Sequence, residues 1–467
     1  MKMTVREAMH ALQGRLILGD PRTEITGACI DSRHLEPNCL FFALKGERVD
    51  GHDFALSAAR QGAAGVVVSR MDWLKGESKL AAAVIEVKDT EAALKALAAA
   101  VRRSFKGPVV GVTGSNGKTT TKEMVSSVLR TRGRGLSTSG NYNSQLGLPI
   151  VLSRLTSEDR WIVLEMGASA PGNIAGLCEI GRPTVGIITS IGPAHLETFG
   201  SLANIAKTKW ELMESLPDDG VAIVPWGESL LEKHVRAFKK KIVFFGEDPL
   251  CPVRASQIDV SEKISFRLHL GAESEIVHLP LPGRYNVGNA LAAAAAGWSL
   301  GYSLADIAKG LEGFQPPKMR MEVLRSPTGA MLINDAYNAN PASMLHAVHA
   351  LMESFPNQRK VVVLGSMLEL GGDSDRYHFH VGTEVGRCAL NRIFLYGAEA
   401  KQIFDGAISA GAPADRVVWS ATPDELAAAV RREMTDGTVI LFKGSRGMQL
   451  ENVIRSLTAA EQKEKAH

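Results

Sequence analysis

Short apolar runs ending in polar, glycine-containing loops alternate along this chain with stretches where apolar residues recur every three or four positions. The first pattern predicts buried strands and the second amphipathic helices. Val5, Met9 and Leu12 fall on one helical face. Short strands are expected at 40–44, 65–69 and 84–87, and an alanine-rich helix at 91–101. Pro108-Val109-Val110-Gly111-Val112 reads as a buried strand, and the helix after it sets Met124, Val125, Val128 and Leu129 on one face before Gly133. Apolar runs at 161–164 and 185–190 predict further strands. From Val253 to Leu281 the period falls to two, with Ile264, Phe266, Leu268 and Leu270 on one face, which predicts an antiparallel ribbon. The segment 282–289 then caps an alanine-rich helix. Beyond Pro316-Pro317, strands are expected at 331–334, 360–364, 393–396, 417–419 and 439–442, with helical segments between them.

Strands that alternate with helices predict an α/β protein with mostly parallel sheets. Three units follow: a small α/β domain at 1–102, a central domain at 103–314 and a doubly wound, Rossmann-like domain at 315–467. Ser104-Phe105-Lys106-Gly107-Pro108 reads as the hinge between the first two.

Composition narrows the class. A chain of 467 residues has room for several domains, each with a full core. Apolar content of 45% and charged content of 22% are ordinary for a globular enzyme, and a net charge of +3 supports neither a nucleic-acid nor a membrane-surface partner. Cys29, Cys39, Cys178, Cys251 and Cys388 show no metal or redox spacing, so free thiols in a reducing compartment are expected. The first twelve or so residues alternate in charge and lack the apolar core of a secretory signal. The alanine run at 292–296 is too short to cross a bilayer. A cytoplasmic chain is the expectation.

The chemistry centres on Thr113-Gly114-Ser115-Asn116-Gly117-Lys118-Thr119-Thr120, at a strand-to-helix junction. Gly114 and Gly117 let the amides of the loop, Asn116 and Thr120 included, turn toward a phosphate chain, and the helix N-terminus adds partial positive charge. Lys118 can reach the outer phosphates, and the Thr119 hydroxyl can hold Mg²⁺. The usual phosphate-loop pattern wants glycine where Val112 stands; a plain glycine turn is the weaker reading. Trp161-Ile162-Val163-Leu164-Glu165 runs an apolar strand straight into a carboxylate, where parallel sheets place ligand groups. One strand from a phosphate loop, Glu165 suits Mg²⁺ better than a structural cap. His195, in a Gly-Pro-Ala-His loop, suits a ligand or an ordinary polar role equally. Ser32, Arg33 and Lys45 could bind an anion, although their spacing alone favours a solvated turn.

Taken in order, eight segments resemble the Mur ligases over nearly the whole chain. They are Asp-Ser-Arg at 31–33, Phe-Phe-Ala-Leu-Lys-Gly at 41–46, the phosphate loop at 113–123, Glu-Met-Gly-Ala at 165–168, His-Leu-Glu-Thr-Phe-Gly-Ser at 195–201, Asn-Val-Gly-Asn-Ala at 286–290, Asp-Ala-Tyr-Asn-Ala-Asn-Pro at 335–341 and Lys-Gly-Ser-Arg-Gly-Met at 443–448. Members that add diaminopimelate or lysine usually carry Asp-Asn-Pro-Arg in the third domain. Here Ala339-Asn340-Pro341-Ala342 stands instead, which favours the branch that adds D-alanyl-D-alanine to UDP-N-acetylmuramoyl-tripeptide.

The resemblance implies a monomer that uses ATP and Mg²⁺ to convert the tripeptide's terminal carboxylate into an acyl phosphate, which the dipeptide amine then attacks. It implies that Thr119 and Glu165 hold one Mg²⁺ and His195 a second, and that Lys118 steadies the transferring phosphoryl group. It places Asn289, Asp335 and Asn338 near the adenosine, Arg320 at the phosphates, Ser32, Arg33 and Lys45 at the uridine diphosphate, and Asn141 and Asn143 near the muramoyl-peptide. Fourteen residues after His195, Lys209 falls where the family carries a lysine converted by CO₂ to a carbamate; Lys207, two residues before it, is expected to face solvent. Folylpolyglutamate synthase shares the architecture but usually lacks a separate domain like 1–102. A nucleotide-driven switch would need neither the metal-organising residues nor a third α/β domain.

Overall fold

The first helix, Val5–Leu12, starts at a capping box, in which the Thr4 hydroxyl accepts the Glu7 N–H at 3.3 Å and the Glu7 carboxylate accepts the Thr4 N–H at 2.7 Å. Val5, Ala8 and Leu12 are buried, while Met9 is half-buried at the edge of that face. The helix packs on the longer helix Thr90–Ser104. The computed structural model describes residues 3–46, 48–74, 80–193, 196–261 and 263–459. Among them no helix is long and apolar enough to cross a membrane.

The N-terminal sheet has five strands in the order Arg15–Leu18, Ala83–Glu86, Gly65–Val68, Leu40–Phe42 and Ala28–Cys29. All neighbours run parallel except Arg15–Leu18, which pairs antiparallel with Ala83–Glu86. The loops carrying Ser32, Arg33 and Lys45 therefore leave the carboxyl ends of two adjacent parallel strands.

Nine strands make the central sheet: Glu273–Leu279, Ile264–Leu270, Val253–Val260, Lys241–Gly246, Val221–Pro225, Val185–Ile188, Val109–Thr113, Ile162–Glu165 and Leu136–Ser137. Neighbours are parallel from Leu136–Ser137 through Val253–Val260, and the last two strands join antiparallel. The expected ribbon exists, and it extends the parallel sheet instead of standing apart. Val109–Thr113 lies between Ile162–Glu165 and Val185–Ile188, so the phosphate loop and Glu165 emerge side by side at one sheet edge.

The alanine-rich helix Tyr285–Ser299 is buried against the loop's own helix, Lys118–Arg130. Small residues make that approach possible. On the neighbouring helix Leu304–Glu312, a Cβ at Gly310 would fall 2.4 Å from the Val128 Cα. Burying Val125, Val128 and Leu129 there contributes about 1.5–3 kcal/mol per side chain, which anchors the helix from the side away from the loop.

The third sheet has six strands in the order Glu322–Arg325, Met331–Asn334, Thr438–Lys443, Arg359–Gly365, Arg392–Tyr396 and Val417–Ser420. Only the hairpin Glu322–Arg325/Met331–Asn334 is antiparallel. Apolar clusters cover both faces, as a doubly wound sheet requires. All five cysteines are free, with Cys39, Cys178 and Cys251 buried.

Candidate active site

The phosphate loop is shaped by two glycines that no other residue could replace cheaply. Gly117 has φ +78°, and a Cβ there would lie 2.2 Å from Asn289 Oδ1; Gly114 has φ +150°, and its Cβ would meet Thr189 Oγ1 at 1.9 Å. The loop is laced to the next strand's end: Ser115 N–H donates to Ser190 O at 2.9 Å, and the Ser115 hydroxyl donates to Gly192 O at 2.7 Å. Gly117 caps the helix Lys118–Arg130 without a side-chain bond, so the first-turn amides remain for an anion. Lys118 folds back on the loop, donating from Nζ to Gly114 O at 2.7 Å and Ser115 O at 3.2 Å. Burial pushes its basicity below the ordinary lysine value; Glu165 opposes that shift and Arg320 adds to it.

The third sheet closes the opposite wall. The Arg320 guanidinium donates to Thr119 Oγ1 at 3.2 Å and stacks over the Tyr337 ring at 4.2 Å. Its neighbours Met319 and Met321 both adopt left-handed backbone, with φ 61° and 52°. Asp335 accepts the Met321 N–H at 3.1 Å and the Lys443 ammonium at 2.5 Å, and Lys443 also donates to Asn338 O at 3.2 Å. Asn340 Nδ2 reaches Asn116 Oδ1 at 2.9 Å. Between these walls lies a cavity of about 210 Å³ lined by Asn116, Gly117, Lys118, Thr119, Thr120, Asn289, Arg320, Asp335 and Asn338. Asn289 is held in place by Thr121, whose hydroxyl donates to its Oδ1 at 3.2 Å, and by Asn286, which accepts from its Nδ2 at 3.0 Å.

A second cavity of about 560 Å³ adjoins the first and is lined by Gly114, Lys118, Asn143, Glu165, Lys209, Arg320 and Asn338, among others. Glu165 is 3% exposed. Its N–H donates to Thr138 Oγ1 at 3.0 Å and its Oε1 accepts from Asn143 Nδ2 at 2.8 Å. Its Oε2 is buried without a hydrogen-bond partner among the described residues. Lys209 is 4% exposed, whereas Lys207 is exposed. Burial pushes the Lys209 amine down to about 7, with Lys118 adding to the shift and Glu211 opposing it.

A buried carboxylate oxygen left unpaired is costly, and a cation satisfies it. Mg²⁺ usually takes one or two carboxylates together with substrate phosphates. Glu165 and the Thr119 hydroxyl fit that demand as the chain's own contribution. Among the described residues no group of three His, Cys, Asp or Glu gathers, so a cation here would depend on nucleotide oxygens for its remaining ligands.

The other expected residues lie elsewhere. Ser32, Arg33, Lys45 and Asn141 line neither cavity. Arg33 pairs with Asp31 at 2.8 Å and holds that carboxyl well below the usual carboxylate range, so an anion there must compete with Asp31. Lys45 is exposed and bridges Asp50 through its backbone. His195, expected to hold a second cation, lies outside the described residues. Sequence reasoning gave no role to Asn340, Tyr337 or Lys443. All three stand in polar clusters at strand ends, the signal that could have marked them.

Residues 24–102 match the catalytic domain of the Mur ligase family, 112–297 the Mur ligase middle domain and 319–446 the Mur ligase glutamate ligase domain. The UDP-N-acetylmuramoyl-tripeptide–D-alanyl-D-alanine ligase of Bacillus subtilis is 38% identical over 461 residues, spanning 98% of each chain. The chain belongs to the Mur ligase family. Among solved Mur ligases, a structure of MurF from Acinetobacter baumannii superposes with a TM-score of 0.87 at 34% identity, over 98% of this chain and 99% of that one. MurF of Thermotoga maritima, solved in complex with ADP, superposes with a TM-score of 0.81 at 28% identity, over 94% of this chain and 98% of that one.

Proposed function

We propose that this chain is an ATP-dependent ligase that joins D-alanyl-D-alanine to the terminal carboxylate of UDP-N-acetylmuramoyl-tripeptide, releasing ADP and phosphate. The observation that carries the reading is that Lys118 and Arg320 line both cavities. A phosphoryl group passed from a nucleotide in the first to a carboxylate in the second must cross between them. The carboxylate oxygen attacks the γ-phosphorus and ADP leaves; the dipeptide amine then attacks the acyl carbon, losing a proton as phosphate departs.

Lys118 and Arg320 supply fixed positive charge where two anions meet, a preorganised stabilisation that needs no rearrangement at the moment of reaction. Lys118 must first leave the Gly114 and Ser115 carbonyls, and nucleotide phosphates are stronger acceptors than those neutral oxygens. Bound Mg²⁺ would neutralise charge on the phosphate oxygens, with Thr119 and Glu165 as its protein ligands. A neutral Lys209 amine can add CO₂, lose a proton and present carbamate oxygens in place of an ammonium. Asn289, Asp335 and Asn338 serve the adenosine end. Ser32, Arg33 and Lys45 serve the uridine diphosphate, on a separate sheet.

The units 1–102, 103–314 and 315–467 are the corresponding functional domains, and the working form is a cytoplasmic monomer. The test is phosphate release by the purified chain given ATP and Mg²⁺. Release that requires both UDP-muramoyl-tripeptide and D-alanyl-D-alanine supports the reading. Release without the dipeptide, or none with all components, overturns it.

A further inference from the structure

Asn143 stands in the amide-rich turn that leads to the helix Gly147–Ser153, and its side chain reaches the buried carboxylate of Glu165. We propose that Asn143 is a positioning residue: it holds one oxygen of Glu165 so that the other is turned toward the divalent cation accompanying the nucleotide. The inference rests on the reading of Glu165 as a cation ligand given above.

Three observations meet here. Asn143 Nδ2 donates to Glu165 Oε1 at 2.8 Å, while Oε2 is buried with no partner among the described residues. Asn143 itself has little freedom, because its N–H donates to Asn141 O at 2.7 Å and its carbonyl accepts the Gly167 N–H at 2.9 Å. Its amide also lies against Gly167, where a Cβ would fall 3.1 Å from Oδ1. The backbone under the carboxylate is fixed as well, by the Glu165 N–H to Thr138 Oγ1 bond at 3.0 Å.

The chemistry of the donor matters. A buried carboxylate with no donor can rotate about its last bond and offer either oxygen in any plane. One N–H on one oxygen restricts that rotation and leaves the other oxygen without a partner among the described residues. The amide is neutral, so it orients the carboxylate without cancelling the charge that a cation needs. A lysine or arginine in its place would compete with the metal. Partners of this kind typically change metal affinity by about 10–100-fold when removed. Ser144 and Gln145, which follow Asn143, also line the second cavity.

The experiment measures ADP binding to the full chain by calorimetry over a Mg²⁺ series, without peptide or dipeptide. Asn143→Ala and the similarly branched but apolar Asn143→Leu should each raise the half-saturating Mg²⁺ concentration about tenfold or more. ADP affinity in EDTA should stay at the wild-type value. In a Glu165→Gln background, Asn143→Leu should have no further effect on the Mg²⁺ requirement. An unmoved requirement in a variant that melts at the wild-type temperature overturns the proposal. So does an additive effect in the Glu165→Gln background. If wild-type ADP binding ignores Mg²⁺, the reading of Glu165 falls and this inference with it. A wild type that responds to Mg²⁺ beside Asn143 variants with the same half-saturating Mg²⁺ concentration overturns this inference alone.

Discussion

Asn340 donates to Asn116 at 2.9 Å and so ties the third sheet to the phosphate loop across 224 residues of sequence. The bond joins the two walls of the nucleotide cavity at the level of the loop backbone, beside the Arg320–Thr119 contact.

If that bond couples the two walls, Asn116→Ala and Asn340→Ala should not behave independently. A net hydrogen bond contributes about 1 kcal/mol, so each variant should raise KM for ATP roughly fivefold. The double variant should be little worse than either single one. Steady-state kinetics over an ATP series checks this, and fully additive effects would contradict it.

Lys118→Ala should lose about 10²–10³-fold in turnover, equivalent to about 3–4 kcal/mol of transition-state stabilisation. Among the described residues its Nζ bonds only loop carbonyls, so the melting temperature should barely move. Near-normal ligation by the variant would remove the loop from the reaction.

Lys209→Ala should abolish most activity while Lys207→Ala leaves it intact, because only Lys209 is buried in the second cavity wall. Bicarbonate should raise wild-type turnover after CO₂ is stripped from the buffer and should do nothing for Lys209→Ala. A high-resolution map grown with bicarbonate and nucleotide should show the added carboxyl group. An unmodified Lys209 there would exclude the carbamate.

His378 supplies a pH-dependent part of stability. It is fully buried, with Nε2 accepting the Met367 N–H at 2.8 Å and Nδ1 donating to Ser374 O at 2.8 Å. Burial holds its basicity below the ordinary value of 6.5, against smaller opposing effects from Ser374, Glu399 and Asp375. The unfolded chain therefore binds the proton more readily. The stabilisation is present above pH 6.5 and is lost as pH falls through the lower folded value. Melting curves at a series of pH values below neutrality should fall more steeply for the wild type than for His378→Gln. Equal slopes would contradict this.

The parallel strands and their helices were legible because each carries its own period. Val109–Thr113, Met331–Asn334 and Thr438–Lys443 are runs of apolar residues bounded by glycine or polar turns. Val221–Pro225 and Lys241–Gly246 have the same character but are not legible as strands, since short apolar runs do not separate strand from buried helix by period alone. Register was not legible: nothing local says that Val253–Val260 pairs with Lys241–Gly246 to extend the central sheet. In the site, the loop and Glu165 could be placed from strand ends, whereas Lys209 was marked only by the resemblance to the Mur ligases. Asn143 could not be placed from strand ends. Its bond to Glu165 depends on how the turn after Leu136–Ser137 folds over the neighbouring strand, which is information held in tertiary packing.

The pair of left-handed methionines has a consequence for mutational tolerance. Met321 packs into the cluster that contains Ile333 and Val362, while Met319 packs against the opposite one, with Leu332 and Val363. Each is thus a peg in a different face of the same sheet, and Arg320 is what remains between them. Glycine or asparagine would relax the backbone at either position but leave the peg hole empty. Isoleucine or valine would fill the hole, yet their branched Cβ disfavours that backbone. Few residues meet both demands, and the unbranched, pliable methionine is one of them. A deep substitution scan should find this three-residue connector as intolerant as the phosphate loop it faces, although neither methionine carries chemistry.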